Sequence, residues 1–392
     1  MKEVVIVSYA RTAIGAMGGA IKDVHAAELG ATAIKEAVNR AGISKDLIDE
    51  VVIGCVGQVA ESAFIARMCA IEAGIPSSST AYTVNRLCGS GLQAINNAVQ
   101  QIQTGNAEVI IAGGTENMDQ LPYYIRKGRY GYRFGHGELE DGLQTALTDP
   151  FGKYPMGVTA EVVAEKFGVS REEQDQFAYE SQMKAIAAID KGYFKDQIIP
   201  IEIKGRKGET ITFDTDEYPR RGTSIEKLSK LKPAFKEGGT VTAGNSSGIN
   251  NGAAALVLMS AEKAKELGVE PIAYIREQAV AGVDPEIMGF APAPAIKKLL
   301  EKANTDLSKI DLIELNEAFA AQSLAVIKDL GLEKEKVNVN GGAIALGHPI
   351  GASGAIITVK LLDELKRRGL KQGISTMCIG GGQGIATLFE LA

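Results

Sequence analysis

Three side chains in this 392-residue chain stand in glycine-rich turns where a reactive group can be reached. Cys88 lies in Asn85-Arg86-Leu87-Cys88-Gly89-Ser90-Gly91, His348 in Gly347-His348-Pro349-Ile350-Gly351-Ala352-Ser353-Gly354, and Cys378 in Cys378-Ile379-Gly380-Gly381-Gly382-Gln383-Gly384. A thiol on a turn between a strand and a helix meets the positive end of the helix dipole and free backbone N–H groups. Both lower its pKa and raise the thiolate fraction. A thiol nucleophile also needs a base, and an imidazole titrates in the right range. A second thiol can then move a proton on another atom. On the turn alone, Cys88 reads equally as a small buried side chain under two glycines. A lone histidine is more often structural, and His25 at a helix start and His136 in a Gly-rich loop are read so. His348, fixed between Gly347 and Pro349, is read as functional.

The elements that must position these groups follow from periodicity. Residues 81–84 read as the end of a strand, and 92–102 as a helix with Leu92, Ile95, Val99 and Ile102 on one face. Residues 3–9, 50–55 and 108–114 read as strands. Helices are expected over 25–41, stopped by Gly42, and over 65–73. Strands alternating with helices make this an α/β chain. Residues 119–245 differ: they are richer in aromatic and charged side chains, with a helical stretch over 158–190 and a hairpin of 198–204 with 209–213 around Gly205-Arg206-Lys207-Gly208. They read as an inserted subdomain. Residues 191–236 carry eleven Lys/Arg against seven Asp/Glu. That is either a solvated face or a site for a polyanionic small molecule.

From about residue 269 the pattern repeats. Residues 272–276 match the opening strand, 311–315 match 50–53, and 337–340 lead to a Gly-rich turn and helix as 82–85 do. Gly351-Ala352-Ser353-Gly354 echoes Gly89-Ser90-Gly91, and 373–379 ends in glycines as 109–111 does. Self-similarity at this length implies a duplicated fold, 1–268 and 269–392, with equivalent turns gathered near one pseudo-two-fold axis. Asn316-Glu317-Ala318-Phe319-Ala320 follows a buried strand of the second copy and adds an amide to the set.

Composition narrows the class. A net charge of −6 gives no global attraction for nucleic acid or anionic membrane. No apolar run is long enough to span a bilayer, and no secretory signal is expected before the strand at Val4–Val7. Cys55, Cys69, Cys88 and Cys378 have neither CxxC nor zinc-ligand spacing. The expectation is a reduced, cytoplasmic enzyme with no metal.

Taken together and in order, Asn85–Gly91, Asn316–Ala320, Gly347–Gly354 and Cys378–Gly384 resemble the thiolase family, that is, acetyl-CoA acetyltransferases and 3-ketoacyl-CoA thiolases, over nearly the whole chain. The resemblance implies a duplicated five-layer αβαβα fold with an inserted CoA-binding loop domain. It implies a reversible Claisen condensation of two acetyl-CoA to acetoacetyl-CoA plus CoA, or thiolysis of longer 3-ketoacyl-CoA, within fatty acid metabolism. Cys88 would carry the acyl group, His348 would activate it, and Cys378 would be the acid/base on the α-carbon. Asn316, through a water, and His348 would form one oxyanion hole, and the backbone N–H groups of Cys88 and Gly380 the other. By the same resemblance Arg220 lies near the adenosine end of CoA, Ser247 bonds the pantetheine, Phe235, Ala243, Ala318 and Phe319 line its tunnel, and Met156 and Met288 flank the acyl pocket. Coenzyme A would be substrate and product, with no permanently bound cofactor, acyl-CoA the small-molecule partner, and the assembly a homotetramer built as a dimer of dimers. Two positions depart from the family pattern near that pocket: Pro155, where His is usual in short-chain members, and Ala291, where Gly is common. A related condensing synthase lacks the second cysteine motif, and a non-catalytic acyl-CoA-binding relative would not need all three reactive groups.

Overall fold

The computed structural model describes residues 2–204 and 208–392. The first half runs β1 (Val4–Thr12), α1 (Ala26–Ala41), β2 (Glu50–Gly54), α2 (Ile65–Glu72), β3 (Thr80–Val84), α3 (Ser90–Thr104) and β4 (Val109–Asn117). An insertion carrying α4 (Met156–Lys166) and α5 (Arg171–Asp190) intervenes before β5 (Asn250–Ser260). The second half runs β6 (Ala273–Gly282), α6 (Pro292–Lys302), β7 (Leu312–Leu315), α7 (Ala320–Leu330), α8 (Ser353–Arg368), β8 (Gln372–Ile379) and β9 (Gln383–Leu391).

The duplication is visible in the strand order, β7-β8-β9-β6-β1-β5-β4-β2-β3. Read outward from the β6–β1 seam, both halves make two antiparallel pairings and then a parallel one. Each opening strand carries a bulge at the same place, Ile6/Ser8 in β1 and Ile275/Glu277 in β6. A bulge bends its strand and increases the local twist. The seam itself is two residue pairs, Val5 with Tyr274 and Ile6 with Ala273. α1 packs on β1 and β5, α6 on β6 and β9, and α3 and α8 fill the layer between the two halves of the sheet. The result is the five-layer α/β arrangement.

Sequence explains the layering. α1 has a buried stripe through Leu29, Ala33 and Ala37, is capped by the His25 side chain accepting from Ala27 N, and ends at left-handed Gly42. α8 is buried around most of its circumference, from Ser353 to Leu365, as a central-layer helix must be. Where α3 and α8 cross, a β-carbon on Gly91 would lie 2.9 Å from Ala355 N, and one on Gly354 would lie 2.3 Å from Leu92 N. The two motifs that echo each other in sequence therefore touch in space, and only glycine allows it.

Two expectations change, and a third is met in part. Residues 158–190 form two helices, because Gly168 turns left-handed (φ 61°) and Ser170 with Glu173 builds a capping box for α5. Residues 337–340 are not a strand. Only a single bridge joins Val337 to Ile313, and Asn338, at φ 46°, pairs its side chain with Leu315 N and O instead. The hairpin forms between Ile201–Lys204 and Thr210–Phe213, but residues 205–207 of its expected turn lie outside the described residues. Among the described residues no helix is long and apolar enough to cross a membrane.

Candidate active site

Cys88 sits on a turn held by its neighbours' side chains. Ser90 Oγ accepts from Arg86 N at 2.9 Å and donates to the Leu87 carbonyl at 2.6 Å, while Asn85 Oδ1 accepts from Leu87 N at 3.0 Å. These bonds hold Leu87 at φ 44°, a left-handed conformation that costs a bulky residue about 1–3 kcal/mol. Cys88 is half-buried as a residue and lines the cavity described below, with protein packed closely around its thiol. The expected lowering of its pKa does not occur. Burial pushes the thiol up to about 11, and the N–H groups of Gly380 and of Cys88 itself pull only part of the way back. Desolvation outweighs the dipole and N–H contributions that the sequence suggested.

His348 is gripped from the first half: its backbone N donates to Asn250 Oδ1 at 3.0 Å. Its Nδ1 is 2.6 Å from Ser353 Oγ, which spends its one hydrogen on the Pro349 carbonyl at 2.9 Å. Ser353 therefore accepts from Nδ1–H, and Nε2 is left with a free lone pair. Burial lowers the imidazole to about 4, so the ring is neutral at rest. Asn316 Nδ2 lies 3.5 Å from both ring nitrogens, which places the amide over the ring rather than in its plane.

Cys378 is the penultimate residue of β8, and its thiol is held high by burial and by the nearby Cys88. Left-handed Gly381 (φ 81°) and Gly382 (φ 86°) turn the chain into β9. Gly380 sits where a β-carbon would come within 2.8 Å of Met156 Cε and 3.0 Å of Leu87 Cδ1.

Cys88, His348, Cys378 and Gly380 line one cavity of about 240 Å3 with Met156, Phe235, Ser247, Met288, Ala318 and Phe319. Phe235 and Phe319 meet edge to face, ring centres 6.1 Å apart. Ser247 N donates to the Ala318 carbonyl at 3.0 Å, fastening the insertion to the Asn316–Ala320 stretch. Pro155 also lines this cavity, whereas Ala291 is buried elsewhere, against Gly384. Arg220 and Ala243 do not reach it. They line a second cavity of about 210 Å3, with Gln182, Tyr218 and Gly244. Asn316 does not line the cavity and reaches it through His348.

Three side chains that support the site carried no role in the sequence reading. Ser353 was visible inside the His348 motif but had no assigned partner. Asn250 and Glu116 come from the first half. Glu116, fully buried, accepts from Val56 N, Gly57 N and Gly351 N, each at 2.9 Å, and so pins the far end of the His348 turn. A charged residue closing the apolar run of β4 was the available signal. His136 is exposed in a loop, and the described residues contain no cluster of metal-ligating side chains.

Comparison with known proteins identifies the family of the chain. The family model "Thiolase, N-terminal domain" matches residues 4–262, and "Thiolase, C-terminal domain" matches residues 269–391. An acetyl-CoA acetyltransferase of Syntrophomonas wolfei is 54% identical over 394 residues, covering 99% of each chain. The crystal structure of the Bacillus anthracis acetyl-CoA acetyltransferase superimposes with a TM-score of 0.98 at 51% identity, covering 100% of this chain and 99% of that one. Human mitochondrial 3-ketoacyl-CoA thiolase in complex with CoA gives 0.96 at 46% identity, covering 100% and 98%. The chain belongs to the thiolase family.

Proposed function

We propose that this thiolase interconverts two acetyl-CoA with acetoacetyl-CoA and CoA through an acyl group carried on Cys88. The observation that carries the reading is the meeting of two thiols, one neutral imidazole and the Gly380 N–H on a single small cavity. Cys88 gives its proton to His348 Nε2, and its sulfur attacks the acetyl carbonyl. The developing oxyanion is met by the N–H groups of Cys88 and Gly380. The carbon–sulfur bond to CoA breaks, and the departing thiolate takes the proton of Cys378. Cys378, now a thiolate, removes an α-proton from the second acetyl-CoA. His348, still protonated, and Asn316 face the enolate oxygen. The enolate carbon attacks the acetyl group, the bond to Cys88 breaks, and Cys88 recovers its proton from His348. Every proton is returned, so the cycle runs in either direction. Burial keeps Cys378 protonated at rest, so it holds the proton the departing thiolate takes, and makes its thiolate a strong base toward the α-carbon.

CoA is thus substrate and product, held with its pantetheine past Ser247, Phe235 and Phe319 and its nucleotide toward Arg220. Met288, buried against Ala318 and Cys378, closes the acyl end and favours a short chain. The test is kcat/KM for thiolysis of 3-ketoacyl-CoA esters of increasing length. The four-carbon ester should be best, with about a tenfold loss by eight carbons, one lost 1.4 kcal/mol. A flat or rising profile would instead make it a thiolase of longer chains. The assembly belongs to the same proposal. Tyr123, Tyr130, Phe134 and Leu139 of the insertion are 63%, 93%, 102% and 67% exposed, an apolar arm that suits a homotetramer of cytoplasmic subunits.

A further inference from the structure

The segment Asp216–Arg220 is held chiefly by the opening strand of the chain, some two hundred residues earlier. Arg11, at the end of β1, is fully buried. Its Nη1 and Nη2 donate to Asp216 Oδ1 and Oδ2 at 2.8 and 2.9 Å, and its Nε to Gln197 Oε1 at 2.7 Å. Asp216 Oδ1 also accepts from Ile14 N at 2.7 Å. Exposed Glu217 accepts from Ala16 N at 2.7 Å and from Ala20 N at 3.3 Å, and its own N donates to the Ile14 carbonyl at 3.2 Å. Two consecutive carboxylates thus grip the same strand end and loop. The next residues are the ones that face the second cavity: Tyr218, with the Arg220 guanidinium 5.3 Å from its ring centre, and Arg220, whose N donates to Gln182 Oε1 at 2.8 Å. A buried two-pronged ion pair adds little net stability over an apolar pair, but it fixes geometry tightly.

We propose that Arg11, Asp216 and Glu217 are positioning residues that preset Tyr218 and Arg220 as an aromatic, cationic platform for the phosphorylated adenosine end of the acyl-CoA substrate. The inference rests on the reading of the second cavity as the nucleotide end of the CoA site. An ion-pair-anchored platform spares the substrate the entropy of ordering a long arginine and its loop.

Two substrate pairs separate these claims: acetoacetyl-CoA with CoA, and acetoacetyl-pantetheine with pantetheine, which lacks the nucleotide. The quantity read is the ratio of kcat/KM for the first pair to that for the second. Glu217→Ala, at an exposed side chain, should lower this ratio about 5- to 10-fold through KM, the signature of lost binding shared by ground and transition states. Asp216→Asn should lower it further. Arg220→Ala is the reference and should show the largest fall. If Arg220→Ala lowers the ratio but Glu217→Ala and Asp216→Asn do not, the positioning role is overturned. If they lower both kinetic constants equally for both pairs, their role is structural only and the proposal fails. If Arg220→Ala itself leaves the ratio intact, the second cavity is not the nucleotide site and the inference falls with that reading.

Discussion

The same connection is made twice in this molecule. Between β8 and β9 it is three glycines, Gly380–Gly382; between β4 and β5 it is the whole stretch 118–249. The strand pairings around the two connections are alike, antiparallel and without a shift in register. Loop-closure entropy grows only with the logarithm of length, so a sheet tolerates either. The two solutions divide the labour of one site. The glycine turn brings backbone N–H groups and the Cys378 thiol up to Cys88 with no side chains in the way. The long connection supplies the wall, through Met156, Phe235 and Ser247. A rigid, bare turn suits proton transfer and oxyanion binding, which tolerate little displacement. A large folded insertion suits a long substrate.

That division predicts a gradient of effects. Cys88→Ala should abolish turnover by at least about 10^4-fold, as loss of a covalent nucleophile does. Cys378→Ala should stop condensation about as completely, yet leave Cys88 able to take an acetyl group from acetyl-CoA, visible as an acetyl adduct by intact-protein mass spectrometry. Absence of the adduct would mean that the departing CoA thiolate has no source of a proton other than Cys378, so that acylation stops with it. Gly380→Ala puts a methyl against Met156 and Leu87, and should cost about 10^2-fold in kcat by moving an N–H donor. Restoration by Met156→Ala in the double variant would show that the clash, and not the turn, was at fault. Ser353→Ala frees the His348 tautomer and should cost about tenfold in kcat with a smaller change in KM.

Proton chemistry sharpens the same contrast. With Cys88 near 11, its alkylation by iodoacetamide should rise about tenfold per pH unit between 7 and 10 and level off near 11. A plateau near 7 would show a resting thiolate–imidazolium pair instead. His348 is depressed from 6.5 to about 4, so between these values the unfolded chain binds the proton that the folded chain refuses. The stability of the neutral buried ring is complete above 6.5 and declines as pH falls toward 4, by about 3 kcal/mol in all. His348→Asn should flatten that part of the urea-unfolding profile. The smallest effect belongs to the arm of the long connection. Tyr130→Ser with Phe134→Ser should leave monomer stability within about 0.5 kcal/mol and activity nearly intact, while light scattering shows a smaller assembly.

Legibility in the sequence follows the same line. The duplicated core was readable because buried strands and helices write their period into apolar residues, as in Leu92-Ile95-Val99-Ile102. The reactive groups were readable because Cys88, His348 and Cys378 lie in glycine-marked turns. The match of 337–340 to the strand end at 82–85 fails because the Asn338 side chain, paired with Leu315 N and O, takes the place of strand hydrogen bonds. The thiol of Cys88 was misjudged because a pKa is set by everything packed around it, including residues some 290 positions away. Asn250 and Glu116 escaped notice for a related reason: each grips the His348 turn across the two halves, and no local spacing records a contact of that range.

The seam of two residue pairs and the Gly91–Gly354 crossing also set a timetable for synthesis. Cys88 leaves the ribosome 290 residues before Cys378. At about 5–20 residues per second that interval lasts roughly 15–60 s. For most of it, until residue 353 is reached, neither α8 nor β8 exists to enclose the sulfur, and Cys88 lacks the second-half cover it has in the finished fold. The growing chain therefore carries its nucleophile unshielded and unable to complete a catalytic cycle until the second half closes over it. Damage at Cys88 during that interval would be sealed into an otherwise well-folded subunit.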